Sequence, residues 1–228
     1  MLIKVIMVAF VGGILCVDKI LVQALVSRPI VIAPVVGLLL NNPYTGLIVG
    51  AFVELFWIDR IPIGNYIPPN DAVVALLITA ASILAGQEIG HFSRELISLS
   101  FLIFVPFGVL FQKIEVMIIE SNYALSEAAI LDAKRANVRG ITAKHLWGLM
   151  KNFLSTTAFI FVSLLLGIVA LVHVFPLLPA FIIKTLTIIY LFLPVLGIAV
   201  AINTIKQRHI VPVFCAVSLV VLIILEWL

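Results

Sequence analysis

Apolar runs recur along the whole of this 228-residue chain, and they restrict its fold more than any motif does. With 64% hydrophobic and 11% charged residues it lies far from a soluble domain, where about a quarter of residues are charged. Runs at 1–17, 72–87, 96–111, 153–175, 185–205 and 210–228 are each long enough to cross or nearly cross about 30 Å of hydrocarbon. The composition therefore predicts an all-α, polytopic integral membrane protein. One membrane-embedded domain over 1–228 accounts for the chain, with spans and a site region over 1–111, a cytoplasmic segment over 112–152 and C-terminal spans over 153–228.

The first run carries a single early lysine, Lys4, in the manner of a signal peptide, but no small-x-small cleavage site closes it. It is read as a retained helix. Cys16 and Cys215 both fall inside apolar runs and read as small buried hydrophobes. The net charge of +3 is spent mostly at the ends of apolar runs, as the bias of Lys and Arg toward the cytoplasmic side requires, so a nucleic-acid partner is not expected.

Residues 18–71 break the pattern. "PIVIAPVVGLLL" and "GLIVGAFVELFWI" are too short to span alone, reaching about 18–20 Å as helices. The turn "NNPYT" separates them, which predicts a re-entrant hairpin or a pair of broken helices. Gly64 and Pro68-Pro69 interrupt the chain again directly afterwards. Irregular backbone at membrane depth is tolerated only against protein or a wet cavity, and short Gly/Pro-interrupted segments are the best sequence pointer to a substrate site. The G-x-x-x-G in "GLIVG" permits either close helix packing or a tight hairpin.

Between 112 and 152 hydropathy falls, and Lys113, Lys134, Arg135, Arg139, Lys144 and Lys151 place the segment on the cytoplasmic side. Ile114, Met117, Ile118, Leu125, Ala128 and Ala129 recur at helical spacing beside a charged face. The segment reads either as a helix lying along the inner membrane surface or as a soluble helical loop.

An ionisable side chain in hydrocarbon costs a few kcal/mol, so each needs a partner or a wet cavity. Glu54 follows a long apolar stretch and is either a partner for a buried donor or a ligand for a polar substrate. Asn65, Asn70 and Asp71 share the Pro-rich break, where Asp71 either caps the next helix or binds a ligand. Together with Glu54 they offer carboxylate and amide groups suited to a hydroxyl-rich ligand such as a sugar. Gln23 is a candidate second wall of the same cavity, or a surface residue. Arg28 reads as an anchor or hairpin-fixing charge, and the neighbours Asp59 and Arg60 as interfacial charge. His91, His145, His173 and His209 are scattered without metal-ligand spacing, and no nucleophile elbow or P-loop is present. No catalytic residue, metal or cofactor is expected.

The stretch "SRPIVIAPVVGLLLNNPYTGLIVGAFVELFWIDRIPIGNYIPPNDAVVALL" resembles the C subunit (EIIC) of the mannose/fructose/sorbose family of bacterial phosphotransferase-system permeases. The resemblance rests on Arg28-Pro29, Val36-Gly37, Thr45-Gly46, Gly50, Glu54, Ile63-Gly64 and Pro69 to Ala72. A second block, "NYALSEAAILDAKRANVRGITAKHLWGLMKNFLSTTAFI", is similar to the family's cytoplasmic helices. The resemblance implies a sugar permease subunit of the bacterial inner membrane. It implies pairing with a D-type membrane subunit, assembly into an oligomer, and cytoplasmic A and B subunits that carry the phosphoryl group. The chain departs from the family at Asn41, Val26, Ser27 and an apparent insertion at Asn70, all in the region where sugar contact is expected. A membrane subunit that recruits phosphotransferase components without transporting is the alternative.

Overall fold

The computed structural model describes residues 1–60, 62–64, 66–204, 212–213 and 216–217. Asn65, His209, Cys215 and most of the span expected at 210–228 lie outside the described residues. Within them the chain forms helices only: α1 (Leu2–Val17), α2 (Pro29–Leu39), α3 (Pro43–Phe56), α4 (Asp71–Ile89), α5 (Arg94–Lys134), α6 (Val138–Val174), a 3-10 turn (Phe175–Leu177) and α7 (Ala180–Thr204). α4 to α7 are long and apolar enough to cross a membrane, and α1 to α3 are shorter apolar helices. The all-α, polytopic architecture thus follows from the apolar runs.

α4 is the axis of the bundle. Every residue from Ala72 to Gly86 is buried, because α1, α2, α3, α5 and α6 all pack around it. A helix enclosed on every side needs no polar face, and its sequence shows none. Of its two buried hydroxyls, Ser82 bonds back to the Ile78 carbonyl at 2.7 Å, whereas Thr79 Oγ1 has no partner among the described residues. α1 buries Val5, Val8, Ala9, Gly12, Gly13 and Cys16 against α6 and α4. Cys16 is a buried free thiol.

α2 and α3 form the re-entrant pair. Pro29 and Pro43 each stand in the first turn of their helix, where a missing N–H costs nothing. Asn42 caps α3 by accepting from the Thr45 amide at 3.2 Å. At the turn Asn41 has φ +59°, a left-handed conformation that Gly adopts freely and Asn tolerates. The Asn41 departure is therefore explained by backbone geometry. The G-x-x-x-G serves both of its readings at once. A Cβ at Gly46 would clash with the Ala33 carbonyl oxygen, and one at Gly50 would lie 2.6 Å from the Pro29 carbonyl, so both glycines let α3 lie directly on α2 within the hairpin.

Two hydrogen bonds fix which ends of the bundle coincide. Lys4 donates to Gln87 at 2.7 Å, and Lys19 donates to Asp71 at 2.8 Å, so α1 and α4 run antiparallel. Gln87 also donates to the Leu40 carbonyl at 3.3 Å, which sets the α2–α3 turn at the Lys4 end. Asn41 accordingly sits at the end of the bundle opposite Asp71.

The segment over 112–152 is not a separate element. α5 has 41 residues and α6 has 37, so they measure about 60 Å and 55 Å, well beyond about 30 Å of hydrocarbon. Their surplus lengths pair as an antiparallel hairpin around a turn at 135–137, and boundaries drawn at 111/112 and 152/153 fall inside continuous helices. Asp132 accepts from Lys144 and from Asn137, and Lys151 reaches the Ser121 carbonyl at 3.4 Å. The helix lies against its own partner arm, so the apolar stripe finds part of its cover there. α7 packs on α3 and α5, with Tyr190 edge-on to Phe52 and Thr187 donating to Glu95 at 2.8 Å.

Candidate functional site

Two carboxylate centres stand at the Lys19 end of the bundle, and the loop over 18–28 supplies a cation to each. Asp18 shapes this loop. Its carboxylate accepts from the Ala24 amide at 2.9 Å, the Val26 amide at 2.9 Å and the Ser27 amide at 3.5 Å. Gln23 and Leu25 take φ of +58° and +63°, a strained pair for L-residues that the Asp18 bonds hold in place.

Asn70 and Asp71 build the first centre. The sequence leaves Asp71 either as the cap of α4 or as a ligand, and the structure gives the cap to Asn70. Asn70 has the extended backbone of an N-cap and accepts from the Val73 amide at 2.9 Å, whereas Asp71 is already the first helical residue. Asn70 then donates to Glu115 of α5 at 2.6 Å. Asp71 Oδ1 accepts from Lys19 and from the Ala72 amide at 2.9 Å. Lys19 and Asp71 side chains are 35% and 23% exposed, so the pair is open at the surface of the chain. Gln112 of α5 donates to the Ile67 carbonyl and so ties the irregular segment before α4 to the same place. Gln23 lies exposed above it and donates to the Lys19 carbonyl at 3.4 Å.

Glu54 builds the second centre. One oxygen is ion-paired with Arg28, and the other accepts from the Ile30 amide at 3.3 Å, one of the orphan donors in the first turn of α2. Arg28 is thus a hairpin-fixing charge, and Glu54 has a protein donor on each oxygen, as in the first of the two roles that the sequence offered, although both donors lie at the surface. Asp59 and Arg60 pair with one another at 3.5 Å, both well exposed.

Of the sequence candidates, the structure unites Asn70, Asp71 and, through Lys19, Gln23. Glu54 makes its contacts in a different group, and Asn65 lies outside the described residues. Three members of the first centre were missed: Lys19, Glu115 and Gln112. A signal existed for Glu115, which interrupts the apolar stripe of α5 between Ile114 and Ile118.

A cleft of about 430 Å³ opens farther out between the arms of the hairpin. Ile20, Asn122, Ser126, Lys144, His145 and Leu149 are among its lining residues, and Ile20 belongs to the loop that carries Lys19. At its margin the Lys144 ammonium, bonded to the Asp132 carboxyl, holds that acid below the usual carboxylate range, and Asn137 adds to the effect. Among the described residues no group of acids, histidines and cysteines is arranged to hold a metal ion.

A central buried helix, a re-entrant helix pair and charged groups gathered at one end define an integral membrane protein of many spans. A family model described as the PTS system sorbose-specific IIC component matches residues 2–226, and the chain belongs to that family. It is 24% identical over 217 residues to the PTS system sorbose-specific EIIC component of Lacticaseibacillus casei, covering 93% of this chain and 74% of that one. With the mannose-specific EIIC component of Escherichia coli (strain K12) it shares 22% over 212 residues, 92% of this chain and 77% of the relative. A putative N-acetylgalactosamine permease IIC component 2 of the same bacterium is 32% identical over 81 residues, which are 36% of this chain and 59% of that protein. Among solved structures, one described as "Structure of membrane protein" superposes with a TM-score of 0.72, and covers 94% of this chain and 83% of its own. A chain of the mannose transporter ManYZ complexed with microcin E492 gives 0.58, with 96% and 84% covered. Both are 22% identical, and they bear on the fold alone.

Proposed function

We propose that this chain is a translocating subunit that carries a hexose-type sugar across the bacterial cytoplasmic membrane, coupled to its phosphorylation by phosphotransferase partners. It works with a D-type membrane subunit and with cytoplasmic A and B subunits, within an oligomer. The whole of 1–228 serves as one membrane-embedded domain. Family membership supports the reading, as do relatives whose names carry sorbose, mannose and N-acetylgalactosamine.

One observation carries it to particular residues. Asp71 is a partly exposed carboxylate with one oxygen held by Lys19 and the other in no hydrogen bond among the described residues. Such an oxygen can accept from a sugar hydroxyl. The hairpin extends from the same end of the bundle, rich in Lys and Arg, so a sugar released there meets the cytoplasm and the phosphorylating subunits. Gln23 stands at the approach in this reading, Asn70 caps the helix that presents Asp71, and Glu54 fixes the frame.

Uptake of labelled mannose, fructose, sorbose and N-acetylgalactosamine into vesicles that contain this chain, the neighbouring D-type subunit and the A and B subunits tests the proposal. The wild type is expected to accumulate one of these as its phosphate, and Asp71→Asn to abolish uptake with membrane insertion intact. A second reading, a scaffold that does not transport, is favoured by the internal engagement of both Glu54 oxygens. Recruitment of the B subunit by a wild type that takes up none of the four sugars would establish it.

A further inference from the structure

The Asp71 centre holds more charge than its structural tasks require. Asn70 Oδ1 already caps α4, and the Lys19–Asp71 pair is neutral by itself. Glu115 adds a further carboxylate in Coulomb range of Lys19, with Asn70 as its hydrogen-bond donor at 2.6 Å. An apolar side chain would fill that position at lower cost, since a half-satisfied buried charge is a liability for stability. Meanwhile Asp71 Oδ2 and Glu115 Oε2 accept no hydrogen bond among the described residues, and the Lys19 ammonium has donors to spare beyond the one given to Asp71.

Resting on the sugar-site reading above, we infer that Lys19 and Glu115 are specificity-determining contacts to sugar hydroxyls beside Asp71, with Asn70 positioning Glu115. The ammonium donates to a hydroxyl oxygen, while each carboxylate oxygen accepts from a hydroxyl O–H. Groups of opposite hydrogen-bonding sense, fixed on the loop over 18–28, on α4 and on α5, discriminate the configuration of neighbouring hydroxyls. An epimer that turns one hydroxyl away leaves a site group without its partner, and sites built on hydrogen bonds reject such analogues strongly. Asn70 touches no substrate in this scheme. Its two ends are occupied by the Val73 amide and the Glu115 carboxylate.

The test is the ratio of uptake efficiencies for labelled mannose, glucose and galactose in vesicles holding the complete transporter, since mannose and galactose each differ from glucose at a single carbon. Glu115→Gln and Lys19→Met are expected to change at least one such ratio by about tenfold; a lower melting temperature is expected of Lys19→Met, because Asp71 loses its cation, but a loss of folded protein scales all three sugars alike and leaves their ratios unmoved. Scaling of all three sugars by one common factor in both variants overturns the inference, because that is what a purely structural role does. Glu115→Asp serves as a milder third variant, and loss of folded protein in all three also overturns it. The outcomes separate from those of the site itself. If Asp71→Asn transports like the wild type, the sugar-site reading fails; if Asp71→Asn is inactive while the other variants keep wild-type ratios, this inference alone fails.

Discussion

Glu54 and Asp71 are carboxylates at the same end of one bundle, each met by a cation from the same loop, yet they are held in different ways. Both oxygens of Glu54 are engaged, by Arg28 and by an α2 amide, and its side chain is 16% exposed. Asp71 gives one oxygen to its partners and is more open to solvent. The difference shows how one residue type at one end of a helical bundle can be held in two ways. A carboxylate with both oxygens bonded to protein groups fixes the hairpin, whereas one with an unused oxygen leaves an acceptor free among the described residues.

The largest effect expected on this contrast comes from Gly46→Val. Its Cβ meets the backbone oxygen of Ala33, which has no rotamer with which to yield, so α3 must move off α2. A loss on the order of 3 kcal/mol or more is expected, seen as a large fall in melting temperature in detergent. Survival of a wild-type melting temperature would mean that the close approach of α2 and α3 does not hold the Glu54 centre together. Next is Arg28→Met, which strands Glu54 with one amide. A loss of about 1–3 kcal/mol is expected, set below the range for fully buried pairs because the Arg28 side chain is 48% exposed. Adding Glu54→Gln should restore part of it, and calorimetry of the single and double variants checks this.

The smallest effect serves as a control distant from both centres. Asp132 titrates below its usual range, so its contribution to the hairpin tip is fully present above the unfolded carboxylate pKa of about 3.9 and is lost as pH falls through the lower folded value. Pepsin cleavage near 132–144 should therefore rise as the medium is acidified below about pH 4, and this rise should be weaker in Asp132→Asn. Equal profiles for the two proteins would remove the Lys144 pair from the account of hairpin stability.

Much of this arrangement was legible in the sequence because hydrophobicity is local. The apolar runs located α1 and α4 to α7, and two runs too short to span, parted by "NNPYT", gave the re-entrant pair. The length of α5 and α6 was not legible. Hydropathy falls where those helices leave the hydrocarbon, and that fall reads as a boundary although the backbone hydrogen bonds continue through it. The site was legible by half. Asn70 and Asp71 stood out as polar groups in a greasy chain, but Lys19 precedes Asp71 by 52 residues and Glu115 follows Asn70 by 45. Nothing in a linear reading pairs them.

The sequence by itself determined that this protein is helical and lives in a membrane, and it marked the segment where polar groups gather, since the cost of placing a polar backbone or charge in hydrocarbon attaches to each residue where it stands. Only the tertiary structure decided which carboxylate has both oxygens engaged and which keeps one open. That choice depends on which cation and which amide arrive from elsewhere in the chain, and their arrival is settled by how α1, α4 and α5 align in space.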